Sequence, residues 1–264
     1  MKYEDYEFLK TARSGRILSI TITRPEALNA IHAQLHAELS RIFTDVDRDS
    51  ETDVIILQGA GGAFCAGGDL KWMQDLREDP MDWVGLIRDD RRIQNSLLDL
   101  EKPIIAKVEG PAIGLGCSLA LFCDFVYATP KSRFADPHVS VGLVAGDGGA
   151  LIWPQLIGYA RARKYLLTGD AIMGQEAADI GLITECVAPE ELDATVSDMA
   201  ERMAGAALMS VRFTKASVNA GLKQVANAVL DRAAAYEFMS GMLNDHQVGI
   251  DAFAKKEKPQ FTGR

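Results

Sequence analysis

The sequence predicts a mixed α/β fold, with an α/β core over residues 1–190 and a helical region over 191–264. Three observations carry this expectation. Short apolar, β-branched runs alternate with helix-like segments up to residue 190, the order expected of an α/β layer architecture. The series strand, glycine-rich loop, helix occurs twice, at Gly67-Gly68-Asp69 and at Gly114-Leu115-Gly116. Beyond Pro189 the pattern is mostly helical, and no Pro/Gly/Ser-rich linker sets that part off.

The elements follow in order. Residues 15–23 (GRILSITIT) alternate and are rich in β-branched side chains, so they predict a strand that Arg24-Pro25-Glu26 stops. Ile31, Leu35, Leu39, Ile42, Phe43 and Val46 fall at helical spacing over Ala30 to Arg48, with Asn29 placed to cap the start. Val54 to Leu57 is a short continuous apolar run, the mark of a strand buried on both faces. A glycine-rich loop (QGAGGAFCAGGD) and a helix from Asp69 follow. Pro103 to Val108 predicts a strand, Gly110 to Gly116 a small-residue loop, and Cys117 to Cys123 an apolar helix. Strands are expected at 125–128 and 134–136, a loop at 142–149, helices at 151–157, 160–167 and 174–180, and a strand at 182–187.

Composition bounds the function. The chain has 264 residues, 48% hydrophobic and 25% charged, with a net charge of −9. These are globular values and allow one large core. The acidic balance argues against non-specific binding to nucleic acid or an anionic membrane. No apolar segment precedes a small-residue cleavage site, and no run of about 18 apolar residues exists to span a bilayer. Four scattered cysteines without a CxxC pair point to a reducing cytoplasm rather than a disulfide framework. Four histidines without HExxH give no metal motif, and no glycine-rich stretch ends in the Gly-Lys-Ser/Thr of a P-loop.

The two glycine junctions carry chemistry. Each places backbone N–H groups at a helix start, where donors are unpaired and the helix dipole is positive. Glycine removes side-chain cover and lets a ligand approach the backbone. Two such ends facing one point would stabilise an oxyanion such as a thioester enolate. Taken singly, each loop is also explained as a tight turn.

At these same residues the sequence resembles the enoyl-CoA hydratase/isomerase, or crotonase, superfamily. The resemblance rests on FCAGGDLKWM (Phe64 to Met73) and KPIIAKVEGPAIGLGCSLALFCDFVYA (Lys102 to Ala128). RPEALNAI, FADPHVSVGLVAGDGG, YLLTGD, AADIGLITECV and the terminal KPQFTGR support it in the right order along nearly the whole chain. The resemblance implies a spiral of ββα units, a helical C-terminal trimerisation region and a homotrimer or dimer of trimers. It implies acyl-CoA thioesters as substrates and no cofactor. The oxyanion donors map to the N–H groups of Gly68 and Leu115. CoA contacts map to Arg24, Ala27, Leu28, Ala66, Asp69 and Leu70, although Asp69 also suits a helix N-cap. The acyl pocket maps to Trp72, Met73, Trp83, Ser118 and Trp153, although apolar residues at helical spacing also suit a core.

The chain departs from the hydratase pattern where the chemistry sits. Hydratases of this family carry two glutamates that position and activate water. Ser118 and His138 stand at those two positions. A serine alone has no useful basicity, and an unperturbed histidine titrates near pKa ~6.5. One acid lies nearby, Asp147 in GLVAGDGG, one position after Gly146, where isomerases of the family carry their carboxylate. Asp147 is therefore the first candidate for the general acid/base and His138 the second. Asp147 flanked by glycines is also placed to cap the next helix.

Three functions follow. The first is an acyl-CoA enzyme of hydratase/isomerase type with a non-standard acid/base. The second is a hydrolase of CoA thioesters or C–C bonds, with Ser118, His138 and Asp147 offered as a triad. Hydrogen bonding between Ser118 Oγ and a His138 nitrogen would favour that one. The third is an acyl-CoA-binding protein without turnover.

Overall fold

The computed structural model describes residues 3–264. Strands β1 (Leu9–Ser14) and β2 (Ile17–Ile22) form an antiparallel hairpin. The remaining pairs of the main sheet are parallel: β2 with β3 (Val54–Gly59), β3 with β4 (Ile104–Val108), β4 with β6 (Phe125–Ala128), and β6 with β9 (Glu185–Cys186). A second sheet joins β5 (Pro111–Ile113), β7 (Arg133–Ala135) and β8 (Ile172–Met173).

β1 has no signature in the sequence because, as an edge strand, it buries only Leu9 of its six residues. β2 buries Leu18, Ile20 and Ile22 on one face, as its alternation requires. The expected strand over 182–187 is shorter, since only Glu185–Cys186 pairs with β6.

Helix α1 (Ala33–Asp47) starts later than the spacing predicts, and its N-cap is His32, not Asn29. Asn29 is fully buried with φ 58°. Its side chain accepts from the Arg24 N–H at 2.8 Å and donates to the carbonyls of Ala60 and Ala63 at 2.8 and 2.7 Å. It locks the turn after β2 to the first glycine loop, which is a different task from capping a helix.

The glycine loops lead into α2 (Leu70–Asp75) and α4 (Leu115–Leu121). A separate helix, α3 (Pro80–Asp99), packs on α1. Helices α5 (Gly149–Thr168) and α6 (Gly174–Asp179) follow, and α5 joins the two helices expected at 151–157 and 160–167 across a kink at Gly158.

The C-terminal region contains α7 (Leu192–Ala204), α8 (Leu208–Gly241) and α9 (Asn244–Lys255). α7 lays Leu192, Val196 and Ala200, spaced by four, onto Val54, Ile105 and Tyr127 of the main sheet. The other face of that sheet holds the larger core, with Ile20, Ile55, Leu57, Ile104 and Ala106 against Leu39, Phe43 and Leu119. α8 packs on α3 and α5, and α9 on α2 and the 3-10 turn His138–Val141. Lys215 of α8 donates from its buried Nζ to Asp124 Oδ2 at 2.7 Å and to the Lys102 carbonyl at 2.9 Å. No helix among the described residues is long and apolar enough to cross a membrane.

Candidate active site

Backbone pairing explains why the two glycine loops face one another. Cys65 donates to the Pro111 carbonyl and Ile113 to the Cys65 carbonyl, both at 2.9 Å, so the first loop runs as an extra strand along β5. Ile31 donates to the Gly67 carbonyl at 2.7 Å and Asp69 to the Ile31 carbonyl at 2.9 Å, which fixes the residues on either side of Gly68. Gly67 has φ 87°, and a Cβ there would stand 2.9 Å from the Ile113 carbonyl oxygen, so only glycine lets the loops close up. Among the described residues, neither the Gly68 N–H nor the Leu115 N–H donates to a backbone carbonyl. Both residues line one cleft.

The opposite wall is ionisable. β7 ends at Ala135, and the turn behind it delivers Asp136 and His138. The loop before α5 delivers Asp147. His138 is clamped between them, with Nδ1 2.5 Å from Asp136 Oδ1 and Nε2 3.2 Å from Asp147 Oδ2. Ser118 Oγ donates to the other Asp147 oxygen at 3.2 Å. The order is therefore Ser–Asp–His, and among the described residues Ser118 makes no hydrogen bond to His138. A nucleophilic triad needs histidine in the middle, so Ser118 lacks the partner that would activate it.

Burial alone would push the His138 pKa down. Asp147 and Asp136 outweigh it and hold the imidazolium well above its ordinary range. This gives a cation at a cleft wall with a proton to deliver. Glu237 of α8 faces the same cleft, 3.9 Å from His138 Nε2. Burial pushes its carboxyl well above the usual carboxylate range against the pull of His138, and Asp90, Asp147 and Asp136 add to the rise. The carboxyl occupies the space a side chain at Gly146 would take, since a Cβ there would overlap Glu237 Oε2. A second buried pair, His36 Nε2 with Asp90 Oδ1 at 2.7 Å, joins α1 to α3 along the cleft. Burial disfavours the charge on both members. The His36 imidazolium is still raised because Asp90 outweighs burial, while burial raises Asp90 against the pull of His36. His246 of α9 also lines the cleft, with Nδ1 2.7 Å from the Val141 carbonyl oxygen, and burial pushes its pKa down to about 4.

Of the acyl-pocket residues expected from the sequence, Trp72, Met73 and Trp83 line the cleft. Ser118 and Trp153 do not. Ser118 lies behind Asp147, and Trp153 is fully buried in the core beside Tyr165 because α5 turns that face toward the interior. Ala66 and Leu70 line an adjoining opening that shares Gly68, Met73, Gly114 and His138 with the cleft. Ala27 and Leu28 form the turn after β2, where Leu28 stands exposed and its carbonyl accepts from the Ala66 N–H at 3.0 Å. Arg24 pairs with Asp69 Oδ2 at 2.8 Å, so much of its charge is met within the chain. Asp69 also caps α2, accepting from the Lys71 N–H at 3.0 Å. The residues whose spacing would let them hold a metal are Asp136, His138 and Asp147, with ligand atoms within 4.8 Å of one another. Both His138 nitrogens already face carboxylates, so the trio is arranged as a hydrogen-bonded chain.

Asp136, Glu237, His36, Asp90 and His246 are not singled out by the sequence. Asp136 carries a usable signal, just after β7 and two residues before His138. The others come from distant helices and carry none.

Residues 12–264 match the family model described as enoyl-CoA hydratase/isomerase. The chain is similar to a crotonyl-CoA hydratase of Syntrophomonas wolfei, 33% identical over 98% of this chain and 99% of that one. It superposes on the crystal structure of an enoyl-CoA hydratase/isomerase from Mycobacterium paratuberculosis with a TM-score of 0.91, at 34% identity over 94% and 99% of the two chains. It is also similar in structure to a β-diketone hydrolase from Anabaena sp. PCC 7120 bound to (S)-3-oxocyclohexyl acetic acid. That match has a TM-score of 0.85 and 27% identity, over 91% of this chain and 96% of that one.

Proposed function

Because the chain belongs to the enoyl-CoA hydratase/isomerase family, with its crotonase fold, and is an enzyme of that general type, we propose that it stabilises the enolate of an acyl-CoA thioester. The carbonyl oxygen is held by the N–H groups of Gly68 and Leu115, and the proton moves through the His138–Asp147 pair. One observation carries this reading: two unpaired backbone donors and a clamped imidazolium line the same cleft. As negative charge develops on the substrate oxygen, the fixed donors meet it without reorganising. The Asp147 carboxylate takes the α-proton as the enolate forms, the His138 imidazolium delivers a proton from Nε2 to the carbon, and transfer of the proton from Asp147 Oδ2 to His138 Nε2 restores the pair. In this reading His138 is the proton donor and Asp147 the acceptor. CoA enters past Ala66 and Leu70, and no cofactor is needed. The exposed Phe213, Val218, Tyr236 and Met239 of α8, with Phe253 of α9, support a homotrimer or dimer of trimers.

A second reading is C–C bond hydrolysis. It is favoured by the two further acid/base sites on the cleft, Glu237 and the His36–Asp90 pair, which proton movement by His138 alone does not require. The likeness to a β-diketone hydrolase supports it. Water would add to one carbonyl of a diketone, the C–C bond would break to a carboxylic acid and an enolate, and His138 would protonate the enolate carbon.

The test is a panel of 2-enoyl-, 3-enoyl- and 3-hydroxyacyl-CoAs with a cyclic 1,3-diketone, run with the wild type and Asp147→Asn. Turnover of a CoA thioester that falls in the variant supports the first reading. Turnover of the diketone alone selects the second. Full activity in Asp147→Asn removes Asp147 from the mechanism.

A further inference from the structure

The carboxyl of Glu237 is nine-tenths buried, with 7% of its side chain exposed, and it lines the cleft. Among the described residues no side chain or backbone group hydrogen-bonds it, and its contact with His138 Nε2 is 3.9 Å, beyond hydrogen-bond reach. Its position is imposed by packing. A Cβ on Gly146 would overlap Glu237 Oε2 and stand 2.8 Å from the Ala233 carbonyl oxygen, so the bare glycine is the socket in which the carboxyl rests.

The surrounding charges set its protonation. The cleft and its floor hold four carboxyl groups, Asp90, Asp136, Asp147 and Glu237, and three imidazoles, of which His36 pairs with Asp90, His138 with Asp136 and Asp147, and His246 with the Val141 carbonyl. The cation nearest the Glu237 carboxyl, His138 Nε2 at 3.9 Å, stands beyond hydrogen-bond reach and is held by Asp136 and Asp147, so burial wins, and the carboxyl keeps its proton and faces the cleft as an O–H donor. A buried donor without an acceptor is unfavourable, and a ligand oxygen placed there removes that penalty. A hydrocarbon chain in the same place leaves the donor unpaired.

We propose that Glu237 is a specificity-determining residue that donates a hydrogen bond to a substrate oxygen other than the reacting carbonyl, so that the site takes oxo-substituted substrates over their plain counterparts. This deepens the proposed function and rests on the same cleft being the substrate site.

Calorimetric binding of two matched pairs tests it: acetoacetyl-CoA against butyryl-CoA, and cyclohexane-1,3-dione against cyclohexanone. The wild type is expected to bind the oxo member of at least one pair about tenfold or more tighter. Glu237→Leu is expected to bring that pair to within about twofold, chiefly by weakening the oxo ligand, whereas Glu237→Gln keeps part of the preference because its amide still donates. Equal binding within both pairs by the wild type, or an unchanged preference in Glu237→Leu, overturns the proposal. A measurement on the wild type alone covers a Leu variant that does not fold. The infrared stretch of a ¹³C-labelled 3-oxo carbonyl is expected to fall on binding, and an unshifted band overturns the proposal. The two readings fail separately. Preference among the ketones with no CoA binding sinks the thioester reading and leaves this one, whereas thioester turnover without any oxo preference does the reverse.

Discussion

Replacing Leu115 by proline deletes one proposed oxyanion donor while leaving the surrounding hydrogen bonds in place. Leu115 is the first residue of α4, the position where a helix tolerates proline because the N–H has no intrahelical partner. The preceding Gly114 has φ 54° and ψ −127°, away from the helical region that a following proline excludes. The neighbouring bonds, Gly114 N–H to the Ala135 carbonyl at 2.9 Å and Ser118 N–H to the Gly114 carbonyl at 3.0 Å, do not involve the Leu115 N–H. Loss of one preorganised oxyanion donor costs about 10²–10³ in kcat, roughly 3–4 kcal/mol of transition-state stabilisation. The leucine side chain is itself nearly buried, so its loss destabilises the fold by about 2–5 kcal/mol. Leu115→Ala carries that second effect alone. The comparison is therefore kcat of Leu115→Pro against Leu115→Ala, on the substrate that the panel identifies, with circular dichroism to confirm the fold. A folded Leu115→Pro within about threefold of Leu115→Ala would refute the assignment, since the expected gap is at least about a hundredfold.

Three further outcomes are expected. Asp147→Asn should lower kcat by about 10²–10⁴, the usual weight of a positioned acid/base, while Ser118→Ala should lower it less than about tenfold because Ser118 bonds Asp147 and not His138; equal losses in steady-state kinetics would restore a serine nucleophile. Thermal unfolding followed against pH should show the contribution of Glu237 and His138 falling as pH rises, against a rising contribution from His246 between about 4 and its ordinary 6.5. Glu237 and His138 both bind their protons more tightly folded than unfolded, so their loss begins above the ordinary Glu value of 4.5 and continues above the ordinary His value of 6.5. Glu237→Gln should flatten the lower part of that slope, and an unchanged slope would contradict the assignment. Asn29→Ala should destabilise the chain by about 3 kcal/mol or more in urea unfolding, since it strands one N–H and two carbonyls at a left-handed backbone position; a loss under about 1 kcal/mol would mean that these bonds are replaced by water.

Much of the fold is legible in the sequence because burial writes a pattern. Val54 to Leu57 and Ile104 to Val108 are buried on both faces and read as unbroken apolar runs, and α1 reads from its spacing. β1 is invisible because its exposed edge tolerates any polar residue. Asn29 reads as a cap because asparagine suits both a cap and a left-handed turn, and only the carbonyls of Ala60 and Ala63, more than thirty residues away, decide between them. The glycine loops are legible for a stronger reason. Gly67 and Gly116 have no room for a Cβ, so sterics fix the residue type at each position. The acid/base wall is half legible. His138 and Asp147 lie close in sequence to motifs that name them, whereas Glu237 lies about ninety residues downstream in a helix whose other residues read as packing. Its buried carboxyl becomes evident only when α8 is laid across Gly146.

In the proposed mechanism two backbone donors and the His138–Asp147 pair act on one carbonyl compound at its α-carbon. The most direct measurement incubates the protein in deuterium oxide with a saturated acyl-CoA that has no onward reaction, and follows α-carbon deuteration by mass spectrometry. Exchange is expected in the wild type, with its loss in His138→Asn and Asp147→Asn at unchanged thioester binding. Tight thioester binding with no exchange in the wild type, or exchange that survives both substitutions, would contradict it.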